Sequence, residues 1–294
     1  MEEKKCSVIV VVYNGSHWIE KMLKSIINSS KKVSIIVVDN ASTDDSLQKL
    51  ASFPEIHLIK SATNLGFGRA NNIGMELALE QNTEFIFLLN QDTWIFEKTI
   101  ENLMRGLEQN PSFGLLSPLH LSSNEIDLDE NFKKYYDCDA RDCETKKVAF
   151  VNAAAWMLTR KCIEKVGFFE PIFNHYGEDR NYCNRVLYHK FVVAITNKAV
   201  IVHDRTISRN FNKDKIQSKY LILNELLNIN NSICKSIFEG LKKCVGLPMY
   251  FYKTYNFWTC SLLFKDLTWY YILNILNLDN IIRLREKVKT NRPA

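Results

Sequence analysis

The sequence lacks any long hydrophobic run. Its apolar stretches stop well short of the roughly 18 residues that a membrane-spanning helix needs. No signal peptide is expected either: Met1 to Lys5 is charged, but the apolar run Val8–Val12 is short and ends at Tyr13-Asn14-Gly15. A cytoplasmic protein is expected, or one resting peripherally on the inner face of a membrane. No C-x-x-C pair occurs among the eight cysteines, and a disulfide scaffold would be shorter and denser in Cys. Free thiols in a reducing compartment are expected. Cys138 and Cys143 lie close together in a polar stretch, yet no His or second Cys pair completes a zinc set there. No G-x-G-x-x-G follows an apolar run, which disfavours a dehydrogenase. Charge of one sign is not abundant either. The net charge is +5, where a nucleic-acid binder would be more basic or would cluster its Lys and Arg in one stripe.

What is present is 294 residues with 46% hydrophobic content. That suffices for a sizeable core, in one large domain or one domain with an appendage. Short apolar runs alternate with helical patterns through the first half. Val8–Val12, Val33–Val38, His57–Ile59 and Phe85–Leu89 read as strands, the first two buried on both faces. Between them, His17–Asn28 places Trp18, Ile19, Met22, Leu23, Ile26 and Ile27 on one stripe. Ser42 is a candidate cap for the next helix, with Asp44 and Asp45 in its first turn. Phe67–Glu80 and Phe96–Gln109 are also helical, the latter ended by Asn110-Pro111. Such alternation predicts an α/β fold, a mostly parallel sheet flanked by helices.

Ligands of such sheets bind at the C-terminal ends of the strands. There the four runs are followed by Tyr13-Asn14-Gly15, Asp39-Asn40-Ala41-Ser42, Asn64-Leu65-Gly66-Phe67-Gly68-Arg69 and Asn90-Gln91-Asp92-Thr93. Each alone could be a polar turn. Together they can line one crevice. Asp92 stands at the edge of the core, where a carboxylate must be paired, hydrogen-bonded or metal-bound. Mg²⁺ and Mn²⁺ suit one or two carboxylates plus phosphate oxygens. Farther on, Glu178 and Asp179 sit in an aromatic setting. They suit general-base work, because burial can raise a carboxyl pKa, or they serve as first-turn acids of a helix running to Val186. Ala199–Val202 reads as a strand ending at His203, a candidate metal ligand or a satisfied polar residue.

Five segments in order resemble a family 2 glycosyltransferase of the GT-A fold, in the rhamnosyltransferase-like branch. They are Val-Val-Val-Tyr-Asn (10–14), Val-Asp-Asn-Ala-Ser-Thr-Asp (38–44), Asn-Leu-Gly-Phe-Gly-Arg-Ala-Asn-Asn-Ile-Gly (64–74), Leu-Asn-Gln-Asp-Thr (89–93) and Gly-Glu-Asp-Arg-Asn-Tyr-Cys-Asn-Arg (177–185). The resemblance spans about residues 6–210. It implies a catalytic domain over 1–212, with a nucleotide-sugar half (6–110) and an acceptor half (111–212). Tyr13, Asn14, Asp39, Asn40, Asn64, Gly68, Arg69, Asn72, Asn90, Gln91 and Asp92 would line the donor site. Asp92 would match the last Asp of the metal-binding D-x-D motif, with His203 supporting a Mg²⁺ or Mn²⁺ ion. Asp179 would be the general base, with Glu178 beside it. The partners implied are a nucleotide-sugar donor, such as a UDP- or dTDP-sugar, and a glycan or lipid-linked acceptor of cell-surface polysaccharide synthesis. Two departures stand out. Asn90 replaces the first D-x-D acid, and Arg180-Asn181 stands where relatives often carry an acid.

From Lys213 onward the pattern changes to a helical, basic-aromatic extension (213–294), and the excess of Lys and Arg over Asp and Glu is concentrated there. It fits helices packed on the catalytic domain or on a second copy, and equally a basic amphipathic surface at a membrane. Two rivals remain for function. One is a nucleotidyltransferase, which would favour a Gly-rich, basic loop after the first strand. The other is a catalytically silent nucleotide- or glycan-binding relative, for which Asn90 speaks and the Glu178-Asp179 pair speaks against.

Overall fold

The computed structural model describes residues 4–136, 144–205 and 210–290. Cys138 and Cys143 lie outside the described residues. The six cysteines within them are free, and all but Cys234 are buried.

The apolar runs form one nine-stranded sheet. Strands β1 (Cys6–Val12), β2 (Ser34–Asp39), β3 (Ile56–Lys60) and β4 (Phe85–Asn90) are parallel neighbours in the order β3-β2-β1-β4. In β1, β2 and β4 the apolar residues are buried on both faces because helices cover both, while the edge strand β3 is only partly buried. The interleaved helices are α1 (Ile19–Ile27), α2 (Ser46–Leu50), α3 (Phe67–Glu80) and, after the short β5 (Thr93–Ile95), α4 (Thr99–Gln109). Helix α3 has the expected bounds, while α1 and α4 begin two and three residues late.

Ser42 does not cap α2. That helix starts at Ser46, and the Ser42 hydroxyl instead accepts from the Asn14 N–H at 3.1 Å, tying two sheet-edge loops together.

Past β4 the sheet becomes mixed, through β6 (Phe113–Leu121), β7 (Thr145–Lys147), β8 (Ala155–Thr159) and β9 (Val192–His203). Strand β8 runs antiparallel between β4 and β6, and β9 is parallel to β6. The 12-residue β9 is far longer than the Ala199–Val202 segment expected. Nothing in the sequence pattern marked β6. Pro118 interrupts it, and its register with β9 shifts between Ser117 and Leu119 to accommodate a residue without an N–H.

Helices α5 (Arg160–Val166) and α6 (Glu178–Tyr188) cover the second half. Then come α7 (Phe211–Leu226), α8 (Ile233–Phe251), α9 (Phe257–Leu276) and α10 (Leu278–Thr290). One apolar core lies on each face of the sheet. The C-terminal helices enclose a third, which Phe173 enters from the catalytic part. The packed-helix reading of the extension is therefore correct for its inner face. Buried Arg285 of α10 donates to the carbonyls of Leu226, Asn228 and Asn231 at 2.6–2.8 Å, fastening α10 to the end of α7.

Candidate active site

The four loops after β1–β4 meet at one edge of the sheet, as parallel strands require. They enclose a cleft of about 230 Å³ lined by Tyr13, Asn40, Asn64, Phe67, Asn90, Gln91, Asp92 and, from the second half, His175. Much of the polar chemistry in these loops builds the loops themselves. The Gln91 amide accepts from the Tyr13 N–H at 2.8 Å and donates to the Tyr13 carbonyl at 3.2 Å. Asn14 sits at a φ of 50°, and its side chain accepts from the Thr43 N–H at 2.8 Å. Asn40 accepts from the Leu65 N–H and donates to Asn64, which in turn accepts from the Gly66 N–H.

Other polar atoms in the same loops are buried without a partner: Asp39 Oδ1 and Asn90 Oδ1. Buried acceptors of this kind cost free energy unless a ligand satisfies them. They mark the places where the edge is incomplete by itself.

Asp92 and His203 are 111 residues apart in the chain, yet register unites them. Thr93 of β5 pairs antiparallel with His203 of β9. The Asp204 N–H donates to the Asp92 carbonyl, and His203 Nε2 stands 3.3 Å from Asp92 Oδ2. His203 is buried with Nδ1 unpartnered. Among the described residues no third His, Cys, Asp or Glu joins them. This set fits a Mg²⁺ or Mn²⁺ ion whose remaining ligands come from phosphate oxygens and water. Behind His203, Arg205 forks onto Asp129 at 2.6 and 3.0 Å, and the His120 ring lies 6.0 Å away. Burial first, then its neighbours His203 and Arg205, hold His120 well below its ordinary pKa, so it stays neutral.

Five expected donor residues stand outside the cleft lining: Asn14 and Asp39 in the loops just described, and Asn72, Gly68 and Arg69 on α3. Asn72 spans to the second half, accepting from the Phe169 N–H and donating to the Phe169 carbonyl, both at 2.9 Å. Gly68 lets α3 pass against Phe169 and Glu178: a Cβ there would meet Phe169 Cβ at 3.1 Å. Arg69 hydrogen-bonds Asn174, while its Nε is buried without a partner.

A second cleft of about 300 Å³ opens on the other side of the segment 175–180. Tyr135, Tyr176, Glu178, Asp179, Arg180, Gln217, Tyr220 and Asn224 line it. Gly177 adopts a φ of 90° just before α6, which turns the two carboxyls into this space. Glu178 is 6% exposed and its Oε2 has no partner. Burial, then repulsion from Asp179, pushes its pKa up to about 8. Burial also raises the Asp179 carboxyl, opposed mainly by its bond from the Arg180 N–H at 2.7 Å.

Nothing in the local sequence singled out Tyr135, Gln217, Tyr220 or Asn224. The last three come from α7, beyond the expected catalytic boundary. Asn224 donates to the Gly177 carbonyl at 3.0 Å, so α7 directly supports the turn that carries the carboxyls.

Residues 7–167 match the family model described as glycosyl transferase family 2. The chain belongs to that family. It is similar to the low-salt glycan biosynthesis hexosyltransferase Agl10 of Haloferax volcanii, 24% identical over 79% of this chain and 77% of that one. It is also similar to the dTDP-rhamnosyl transferase RfbF of Shigella flexneri, 26% identical over 66% of this chain and 67% of that one. Among solved structures, S. aureus TarS 1–349 in complex with UDP-GlcNAc superposes with a TM-score of 0.65 at 14% identity, covering 98% of this chain and 92% of that one. Mannosyltransferase PcManGT of Pyrobaculum calidifontis, in complex with GDP-Man and Mn²⁺, gives a TM-score of 0.60 at 15% identity, covering 99% and 89%. At such identity the superposition establishes the GT-A fold alone. This family 2 glycosyltransferase therefore carries the expected α/β architecture, with helices added at its C-terminal end.

Proposed function

We propose that this enzyme transfers a sugar, with inversion, from a nucleoside-diphosphate sugar to a glycan or lipid-linked acceptor in cell-surface polysaccharide synthesis. The donor is a UDP- or dTDP-sugar, with rhamnose as one candidate, a choice the likeness to RfbF supports. The observation that carries the reading is the segment 175–180, which lines both clefts at once: His175 faces the first, and Tyr176 to Arg180 face the second.

In this reading the donor's nucleoside occupies the first cleft against the half-exposed Tyr13 ring, near Asp39, and its diphosphate lies toward Asp92. The acceptor occupies the second. Asp179 takes the proton of the acceptor hydroxyl as that oxygen bonds to the anomeric carbon. The bond from that carbon to the diphosphate oxygen breaks on the opposite face, and the electron pair leaves with the nucleoside diphosphate. Glu178, protonated at neutral pH, donates a hydrogen bond in the acceptor cleft. Asp92 and His203 hold the divalent cation, which when bound neutralises charge on the departing diphosphate. The division into donor half (6–110), acceptor half (111–212) and extension (213–294) belongs to the same proposal, with α7 serving the acceptor half. Asn14, Asn40, Asn64 and Gln91 act by shaping the loops, Gly68 and Asn72 by seating α3 against the second half, and Arg69 by holding Asn174.

A catalytically silent binding relative is the second reading, supported by Asn90. A panel of nucleotide sugars with Mn²⁺ or Mg²⁺, followed by thermal shift and donor turnover, separates the two. Stabilisation with turnover supports transfer. Stabilisation without turnover, across a range of acceptors, supports the silent relative. No stabilisation and no turnover with any donor overturns both.

A further inference from the structure

The outer face of the C-terminal hairpin is unlike the rest of the surface. On α8 the residues Phe238, Leu241, Val245 and Met249, with Tyr252 just after, fall within roughly 80° of arc at helical periodicity. All five are exposed, Met249 to 69% and Tyr252 to 61%. On α9 the residues Trp258, Leu262, Lys265, Trp269, Leu273 and Leu276 fall within a similar arc of roughly 80°. These too are exposed, Trp258 to 75% and Leu276 to 79%. An apolar groove of about 530 Å³ joins the two helices, with Met249 and Tyr252 on one wall and Phe257 and Phe264 on the other. Phe257 meets the Trp258 ring edge-on at 5.6 Å, so groove and second stripe are continuous. Exposed apolar area on this scale marks an interaction surface.

Two features choose the occupant. The first is Lys265, which lies inside the α9 stripe between Leu262 and Trp269. A second copy seated on the stripe would strip water from its ammonium, and Lys is depleted from interface cores for that reason. At a lipid surface the same side chain lays its stem along the apolar layer and lifts its ammonium to the phosphates. The second is charge. From Ile233 to Leu276 the hairpin carries Lys235, Lys242, Lys243, Lys253 and Lys265 against only Glu239 and Asp266. The exposed Trp and Tyr side chains are those favoured at the boundary between headgroups and acyl chains. Among the described residues no helix is long and apolar enough to cross a bilayer. Such a face lies in the plane of the surface.

We infer that the α8–α9 face docks this protein on a membrane bearing anionic phospholipid. The inference stands on surface chemistry and does not depend on the transfer reading. It places the enzyme where a lipid-linked acceptor is presented.

The test is flotation of the whole chain with vesicles of equimolar phosphatidylcholine and phosphatidylglycerol, and with phosphatidylcholine alone. Binding to the anionic vesicles, weakened by salt, is expected, with little binding to the neutral ones. Lys265→Gln is expected to weaken it about 5-fold, from the typical contribution of one basic residue at an anionic surface. The double substitution Trp258→Ala and Trp269→Ala should weaken it further. All three side chains are exposed, and an unchanged thermal midpoint verifies folding. Donor turnover in detergent-free buffer should be unaffected, so loss of docking and loss of catalysis are distinguishable. Equal binding to both vesicle types, no binding to either, or a dimer that the tryptophan substitutions dissociate would each overturn the inference.

Discussion

The two clefts are built in opposite ways. The first is framed by four strands that are neighbours in the sheet, each delivering its own loop to the same edge. Its polar side chains mostly brace backbone, as Gln91 braces Tyr13 and Asn40 braces Leu65. The second is assembled from Tyr135, the start of α6 and one face of α7, elements far apart in the chain. Glu178 Oε2 has no partner there, and burial holds that carboxyl in its neutral form. The first cleft thus presents a preformed frame suited to a large ligand. The second concentrates reactive carboxyls, whose protonation depends on packing.

Breaking that contrast starts with Asp179. Asp179→Asn should lower turnover by roughly 10²–10⁴-fold, the span of general-base contributions, with the donor's thermal shift retained. Single-turnover kinetics check it, and full activity would end the base assignment. In the wild type, the acid limb of the pH profile should lie above the ordinary Asp value of 3.8, because burial raises this carboxyl. Asp92→Ala should act on the first cleft instead. Several kcal/mol of charge stabilisation would be lost, seen as weaker metal-dependent donor binding by calorimetry.

Asn224→Ala probes how far α7 belongs to the second cleft. It removes the hydrogen bond to the Gly177 carbonyl, worth about 1 kcal/mol. The acceptor KM should rise about 5-fold while the donor Kd stays fixed. Equal changes in both would merge the clefts into one unit.

A further prediction concerns stability. Glu178 has a folded pKa near 8 against an ordinary 4.5. The folded state therefore binds the extra proton between those values, and stability is lost as pH rises through that window. Glu178→Gln should remove this slope. Its thermal midpoint should exceed that of the wild type above pH 8 and match it near about pH 5.

Much of this was legible in the sequence for a definite reason. Strands β1, β2 and β4 are buried on both faces, so they read as unbroken apolar runs, and a parallel sheet necessarily gathers the loops that follow. The amphipathic periodicity of α3 gave its bounds without error. Strand β6 was illegible because Pro118 and a register shift obscure it. The Ser42 cap failed because its hydroxyl had a better partner across the sheet edge, in the Asn14 N–H.

By itself the sequence determined the fold class, the family and the edge where the loops converge, since each follows from local periodicity and ordered motifs. Tertiary structure alone decided three things. Strand register put His203 beside Asp92. Packing of α7 under Gly177 made the extension part of the second cleft. Burial set the protonation of Glu178. All three arise from contacts between segments distant in the chain, whose energies depend on distance and solvent exclusion and leave no periodic mark in the residues themselves.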